Sequence, residues 1–364
     1  MNQRASLSFR ATLEEYEQEA AALFGALESG DEGAEWHFKW EHPSFRGKPV
    51  DDVRTATLDL ADAQVVVARA YAFESWSDLV AFTDAVKRDD SVVRFETAVE
   101  AVISGDVPAL RSLLRDHHDL VRARSKRRHH ATLLHYIGAN GVEGARQKTP
   151  PNAVEVAKIL LDAGAEVDAL ADMYESKCTT MSMLVSSSHP HEAGLQAALA
   201  ETLLDYGAAL VGPGSKWQSA LMTAMAFGYL DTAQVLAVRG APVENIAAAA
   251  GLGRLEDATQ LLPAADSDSK HIALSLAAQL GHAEVVRLLL DAGEDPNRYN
   301  LEGYHAHSTP LHQAVCSNHA EVVRLLVERG ARLDIRDTIF QGTPLDWAIY
   351  CKRPEIAEYL RGAA

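Results

Sequence analysis

Cysteine is nearly missing from this chain of 364 residues: Cys178, Cys316 and Cys351 are the only three. That is too few and too scattered for a disulfide framework, and it points to a reducing, cytoplasmic setting. Positive charge is also scarce. Lysine and arginine number 34 against 51 acidic residues, a formal charge of −17. A general role on nucleic acid or an anionic membrane needs a broad basic face, which this balance excludes. The one dense basic run, Lys126-Arg127-Arg128, is expected to be a solvated hairpin tip, with a local site for an anionic ligand as the alternative. No apolar run approaches membrane-spanning length, and Met1-Asn2-Gln3-Arg4 leads into acidic residues rather than a signal-peptide core. A Walker loop, a dinucleotide glycine fingerprint and paired-cysteine zinc spacing are all missing, so no cofactor and no metal is expected.

What the chain does have is a recurring word. Thr309-Pro310-Leu311-His312 returns as Thr343-Pro344-Leu345-Asp346 after 34 residues. The fuller copy continues through Asn318-His319, Val322-Val323 and Leu325-Leu326 to Gly330-Ala331. Thr309 is suited to cap a helix, Pro310 fits its first turn, and His312 can bond back to the threonine end. This copy resembles the ankyrin repeat, whose helix pairs stack into an array. Measuring back nine residues from each glycine landmark aligns further starts at Glu96, Thr132, Thr179, Ser219, Pro242, Ile272 and Thr343, with Gly251 as the fifth landmark. The resemblance therefore implies an all-α fold: an ankyrin-repeat α-solenoid of about eight repeats with short hairpin loops over residues 91–364. Residues 1–90 precede it as a helical N-terminal extension that caps the first repeat.

In the extension, Leu13, Tyr16, Ala20, Leu23 and Leu27 recur at helical spacing, predicting a helix over about 10–29 stopped near Gly30. A second is predicted over 55–71 and a third from the N-cap Ser75. Trp36, Phe38 and Trp40 are expected in a loop or edge strand between the first two. Leu60 to Arg69, followed by Phe73-Glu74-Ser75-Trp76, resembles an extension of bacterial ankyrin-repeat proteins to which no activity is attached.

Regular repeats build the core, so irregularities are where function is sought. Gly141 to Gly164 spans 23 positions and Ser188 to Gly207 spans 19, where twelve is usual. The two insertions, 142–152 and 189–196, fall at the same junction of neighbouring repeats and are expected to lie side by side. Between Gly240 and Pro242 the hairpin is deleted, and Ala247-Ala248-Ala249-Ala250 replaces larger residues, which should dent the groove or let the repeats close up. Longer hairpins bring Asp172, Tyr174 and Lys177 in one place and Tyr299, Tyr304, His305 and His307 in another. Ankyrin analogy lines the groove with the two residues before each glycine landmark, among them Ser186, Phe227, Cys316, Tyr350 and Cys351.

Two functions follow as expectations. In the first, a monomeric scaffold binds a partner, expected to be protein, on its concave face without catalysis. In the second, a small-molecule-binding protein or enzyme uses a pocket at repeats two to four, walled by the insertions. The binding candidates are Tyr136, Asn140, Arg146, Lys148, Tyr174, Ser186, His189, Trp217 and Phe227. An enzyme would use His189, Tyr136, Arg146 and Lys148, pairing cations with a general acid or base. His135 and His312 occupy the repeat's own histidine position and read as structural. His305-X-His307 lacks further zinc ligands, and Ser186-Ser187-Ser188-His189 lacks an acidic orienting partner. Helices of consecutive repeats stack about 10 Å apart, so no bond is expected between Cys316 and Cys351.

Overall fold

The computed structural model describes residues 7–138, 142–143, 146–173, 176–212 and 219–363. The chain divides into two compact units, Met1–Lys216 and Trp217–Ala364.

The first unit opens with helices fixed by their caps. Thr12 and Glu15 form a capping box on Leu13–Glu28, and Asp59 with Asp62 and Ser75 with Asp78 do the same for Leu60–Ala70 and Trp76–Arg88. The predicted second helix thus begins at Leu60, after a separate short helix at Asp51–Thr55. The aromatic triplet is not a loop or strand. Asp31 caps a helix at Glu32–Glu41 that buries Phe38, while Trp36 and Trp40, one turn apart, stack at 6.1 Å on a different face. Phe38 joins Tyr16, Leu23, Val66, Phe73, Leu79 and Phe82 in the core of this region.

Two helix pairs and a triplet follow: Asp90–Ser104 with Val107–Asp116, His135–Gly138 with Ala153–Asp162, and Thr180–Leu184 with Ser188–Glu192 and Gln196–Asp205. The long hairpin before the triplet carries a small antiparallel ribbon, Ala171–Met173 against Ser176–Cys178, registering Asp172 opposite Lys177.

The second unit contains five pairs: Ala220–Ala226 with Leu230–Val238, Ile246–Gly251 with Leu255–Leu261, Ser267–Leu280 with Ala283–Asp291, Pro310–Cys316 with Ala320–Glu328, and Pro344–Tyr350 with Pro354–Ala363. The apolar faces of the last four pairs, including Leu274, Val286, Leu289, Val315, Val323 and Leu326, form one cluster. The fifth aligned repeat is shifted from the sequence register. Asn245, not Pro242, caps its first helix, and the left-handed turn falls at Gly253 (φ +70°), not Gly251. His282 presses on Gly253 as His319 presses on Gly281, which leaves no room for a Cβ at either. The alanine run lies on that helix, and Ala247, Ala248, Ala249 and Ala250 are all buried.

The cysteine expectation is overturned. Cys316 and Cys351 are disulfide-bonded, with Cα atoms 5.5 Å apart. Each sits at the C-terminal end of its repeat's first helix, where the two backbones come closer than the mean stacking distance.

Candidate functional site

The basic run is also not what its sequence suggests. Lys126 is exposed and Arg128 half-buried, but the Arg127 side chain is only 2 % exposed. Its guanidinium sits against two rings that touch each other at 5.0 Å, 4.8 Å from the centre of Phe73 and 4.7 Å from that of Phe82. It donates to the Tyr71 carbonyl at 2.7 Å and pairs with Glu96 at 3.4 Å and Glu143 at 3.2 Å. The run supplies one buried cation because a buried charge must be paired to be tolerated.

The first insertion folds onto this group. Glu143 accepts from Tyr136 Oη at 2.6 Å and Arg146 Nε at 2.5 Å, and lies 3.3 Å from His129 Nε2. Arg146 reaches further, to Glu96 at 2.6 Å and Glu100 at 2.8 Å. Burial alone would raise the Glu143 carboxyl, but Arg127 and Arg146, with His129, hold it well below the usual range. Burial, then Glu143, pushes the Tyr136 phenol well above 10, and burial lowers His129. At neutral pH Glu143 is therefore a fixed anion, Tyr136 a fixed donor and His129 neutral, leaving no group poised to exchange a proton. The cavity beside them, lined by Leu7, Phe9, Tyr71, Arg127, Glu143 and Arg146, measures about 10 Å³. That holds one water molecule, far below the several hundred Å³ of a ligand pocket. The Tyr16 hydroxyl and one Glu96 oxygen are buried without a bonding partner among the described residues.

The structure thus brings Tyr136 and Arg146 together around Glu143. Lys148 is exposed, and His189 is half-buried on Ser188–Glu192 with no described hydrogen bond to that group. Ser186, half-buried, donates to the carbonyls of Ser182 and Met183 at 3.2 and 3.1 Å. Asn140, Tyr174 and Trp217 lie outside the described residues. Phe227, in the second unit, is 41 % exposed and stacks on Tyr229 at 6.1 Å. Sequence reasoning missed Glu96, His129 and the full burial of Arg127. Glu96 had a signal, since it lies on the stripe of Val92, Phe95, Val99 and Ile103 that the helix buries.

Each insertion is closed by a buried glutamine. Gln147 donates to the Tyr136 carbonyl at 2.6 Å, and Gln196 to those of Leu184 and Ser187 at 2.8 and 3.0 Å. Both add a side-chain donor where the preceding helix runs out of its own, although the Leu184 carbonyl also accepts from the Ser187 N–H at 3.1 Å.

The second unit offers a different surface. Asp337, fully buried, accepts from the backbone of Ile339, Phe340 and Gly342 and from Trp347 Nε1, at 2.6–3.0 Å. It fixes a hairpin tip on which Phe340 stands 64 % exposed. Thr338 N–H donates to the His307 carbonyl at 2.8 Å, joining this hairpin to the previous one. Aromatic contacts run from His305 to His307 at 6.0 Å, then to Trp347 at 5.8 Å and Phe340 at 6.4 Å. Tyr299 donates to the Arg336 carbonyl at 2.6 Å, and Tyr350, on the neighbouring helix, is 87 % exposed.

Compared with protein families, the chain matches ankyrin repeats in three copies, within residues 245–337 and 299–363. Residues 245–363 carry ankyrin repeats. No curated protein matches the chain. The aromatic surface thus sits on hairpins and first helices of ankyrin repeats, elements generally used for protein interaction. His312 behaves as that repeat requires: its Nδ1 meets the Thr309 hydroxyl at 2.9 Å and its Nε2 the Gly342 carbonyl at 3.2 Å. His135 repeats the arrangement in the first unit, with Thr132 at 2.8 Å and the Ala169 carbonyl at 3.0 Å. Among the described residues no helix is long and apolar enough to cross a membrane, and no group of three or more His, Cys, Asp or Glu is placed to hold a metal ion.

Proposed function

We propose that the chain is an ankyrin-repeat scaffold of about eight repeats, a monomeric α-solenoid over residues 91–364 capped by the extension 1–90. It binds a protein partner on its concave face without catalysis of its own. The carrying observation is the belt of aromatics in which Phe340, on a tip braced by Asp337, and Tyr350, at the end of the next helix, are largely exposed. Rigid, exposed aromatic side chains give large contact area at little entropic cost, and such residues dominate binding energy. Phe227, from the residues expected at the groove, adds a further exposed ring. The net charge of −17 supports a protein rather than a nucleic-acid partner. The small-molecule alternative loses support, because Tyr136 and Arg146 are spent on an ion-pair group whose cavity has room for one water. The cytoplasm stays the proposed location, on three cysteines too few for a disulfide framework, which the single Cys316–Cys351 bond does not make.

The test is affinity capture from the source cell with the full chain and with the double variant Phe340→Ala/Tyr350→Ala. Specific partners should bind the variant at least roughly 100-fold more weakly. Undiminished capture by a variant with unchanged circular dichroism overturns the reading.

A further inference from the structure

We propose that Cys316 and Cys351 form a reversible oxidation site for low-molecular-weight disulfides, whose state sets the order of the last ankyrin repeat. The pair is built in two ways. The Cα separation of 5.5 Å lies within the range that a disulfide spans without backbone movement, so the fold itself presents the two sulfurs to each other. Both cysteines are half-buried rather than sealed, within reach of a small reagent, whereas Cys178 in the first unit is buried. Arg353 donates from Nε to the Cys316 carbonyl at 3.0 Å, which holds the turn after Cys351 against the helix end that carries Cys316.

The exchange balances without any other reactant. A thiolate of the pair attacks one sulfur of the reagent, expels one reagent thiol and leaves a mixed disulfide. The second cysteine attacks the protein sulfur of that bond and expels the second reagent thiol. Two electrons and two protons pass from the cysteines to the reagent.

The consequence is local. In the last repeat Ala348, Ile356, Ala357 and Leu360 are buried, but Ile349 and Tyr350 are largely exposed, so among the described residues its first helix is covered on one flank only. Besides that packing, the disulfide, the Arg353 bond to Cys316, the His312 bond to Gly342 and the hairpin bonds of Thr338 to His307 and Tyr299 to Arg336 tie it to its neighbour. Opening the disulfide removes the covalent cross-link and leaves the backbone as the only covalent connection. A repeat with a single neighbour is the element most prone to fray.

The test uses the purified full chain in glutathione buffers stepped from reducing to oxidising, acid-quenched, labelled with a maleimide and read by mass spectrometry. Cys316 and Cys351 should lose label together, as an internal bond, and regain it on return to reductant, while Cys178 labelling of the unfolded, quenched chain stays constant. Amide exchange over 343–363 should speed up on reduction, and the melting temperature should fall by roughly 10 °C. The single variant Cys351→Ser should show no dependence of either on the buffer. Independent labelling of the two cysteines, label retained on both under oxidising buffer, or exchange over 343–363 that ignores the redox state would each overturn the proposal.

Discussion

Gln279 donates its side-chain amide to the Ala226 carbonyl at 3.1 Å, 53 positions back in the chain and on the far side of an intervening repeat. His305 Nε2 meets the same carbonyl at 2.8 Å. Neighbours separated by a whole repeat do not normally touch in such arrays. Here they do because the helix between them, Ile246–Gly251, carries four consecutive alanines. The expected dent at this place is therefore filled from the next repeats rather than left for a ligand.

This closeness makes the alanines intolerant of size. Ala249→Leu should destabilise the chain by about 1–3 kcal/mol through overpacking. Urea denaturation of the full chain reads the change, and an unchanged midpoint would show that the helix has room to spare.

Neighbours in the basic run should differ sharply. Arg127→Ala removes the cation that Glu96 and Glu143 share and should cost about 3–5 kcal/mol, the usual result of leaving a buried charge uncompensated. Lys126→Ala, at an exposed position, should stay within about 0.5 kcal/mol. Equal effects of the two, measured by denaturant titration, would contradict the buried placement of Arg127.

Acid should weaken the fold well before ordinary carboxylates titrate. Burial pushes His135 and His271 down to about 4, while the unfolded chain titrates them near 6.5. Between those values the unfolded state takes up protons that the folded state refuses. Stability is thus full above pH 6.5 and falls toward pH 4, by about 1.4 kcal/mol per pH unit for each histidine. Glu143, held low by Arg127 and Arg146 against its burial, loses its share only on further acidification. Denaturation midpoints at pH 7.5, 6 and 5 should decline in that order, and a rise toward pH 5 would refute the account.

The insertion glutamines can be tested singly. Gln196→Leu keeps the volume but takes the side-chain donor from the buried Ser187 carbonyl and leaves Leu184 with the Ser187 N–H alone, and should cost about 1–3 kcal/mol. Chemical denaturation checks it, and a neutral result would mean that water replaces the amide.

Where sequence patterns are local, they were legible. The cap at Ser75, the threonine–histidine bond at Thr309 and the glycine turn at Gly281 all depend on residues a few positions apart. Arg127 was not legible, because it sits in a run that looks like solvated surface and its partners Phe73, Glu96 and Glu143 are remote in the chain. The register of the fifth repeat slipped because Gly251 and Gly253 are two glycines within three residues, and only the backbone angle tells which one turns. The disulfide was hidden by averaging, since a mean helix spacing says nothing about how closely two helix ends approach.

The seat of Arg127 against Phe73 and Phe82 bears on how the protein can be shortened. A truncated version starting at residue 91 would strip away both rings and the Tyr71 carbonyl, leaving a guanidinium facing water on one side and carboxylates on the other. Expression of the repeats without their leading helices should consequently give insoluble or aggregating material, and a soluble fragment would have to retain at least Tyr71 through Phe82.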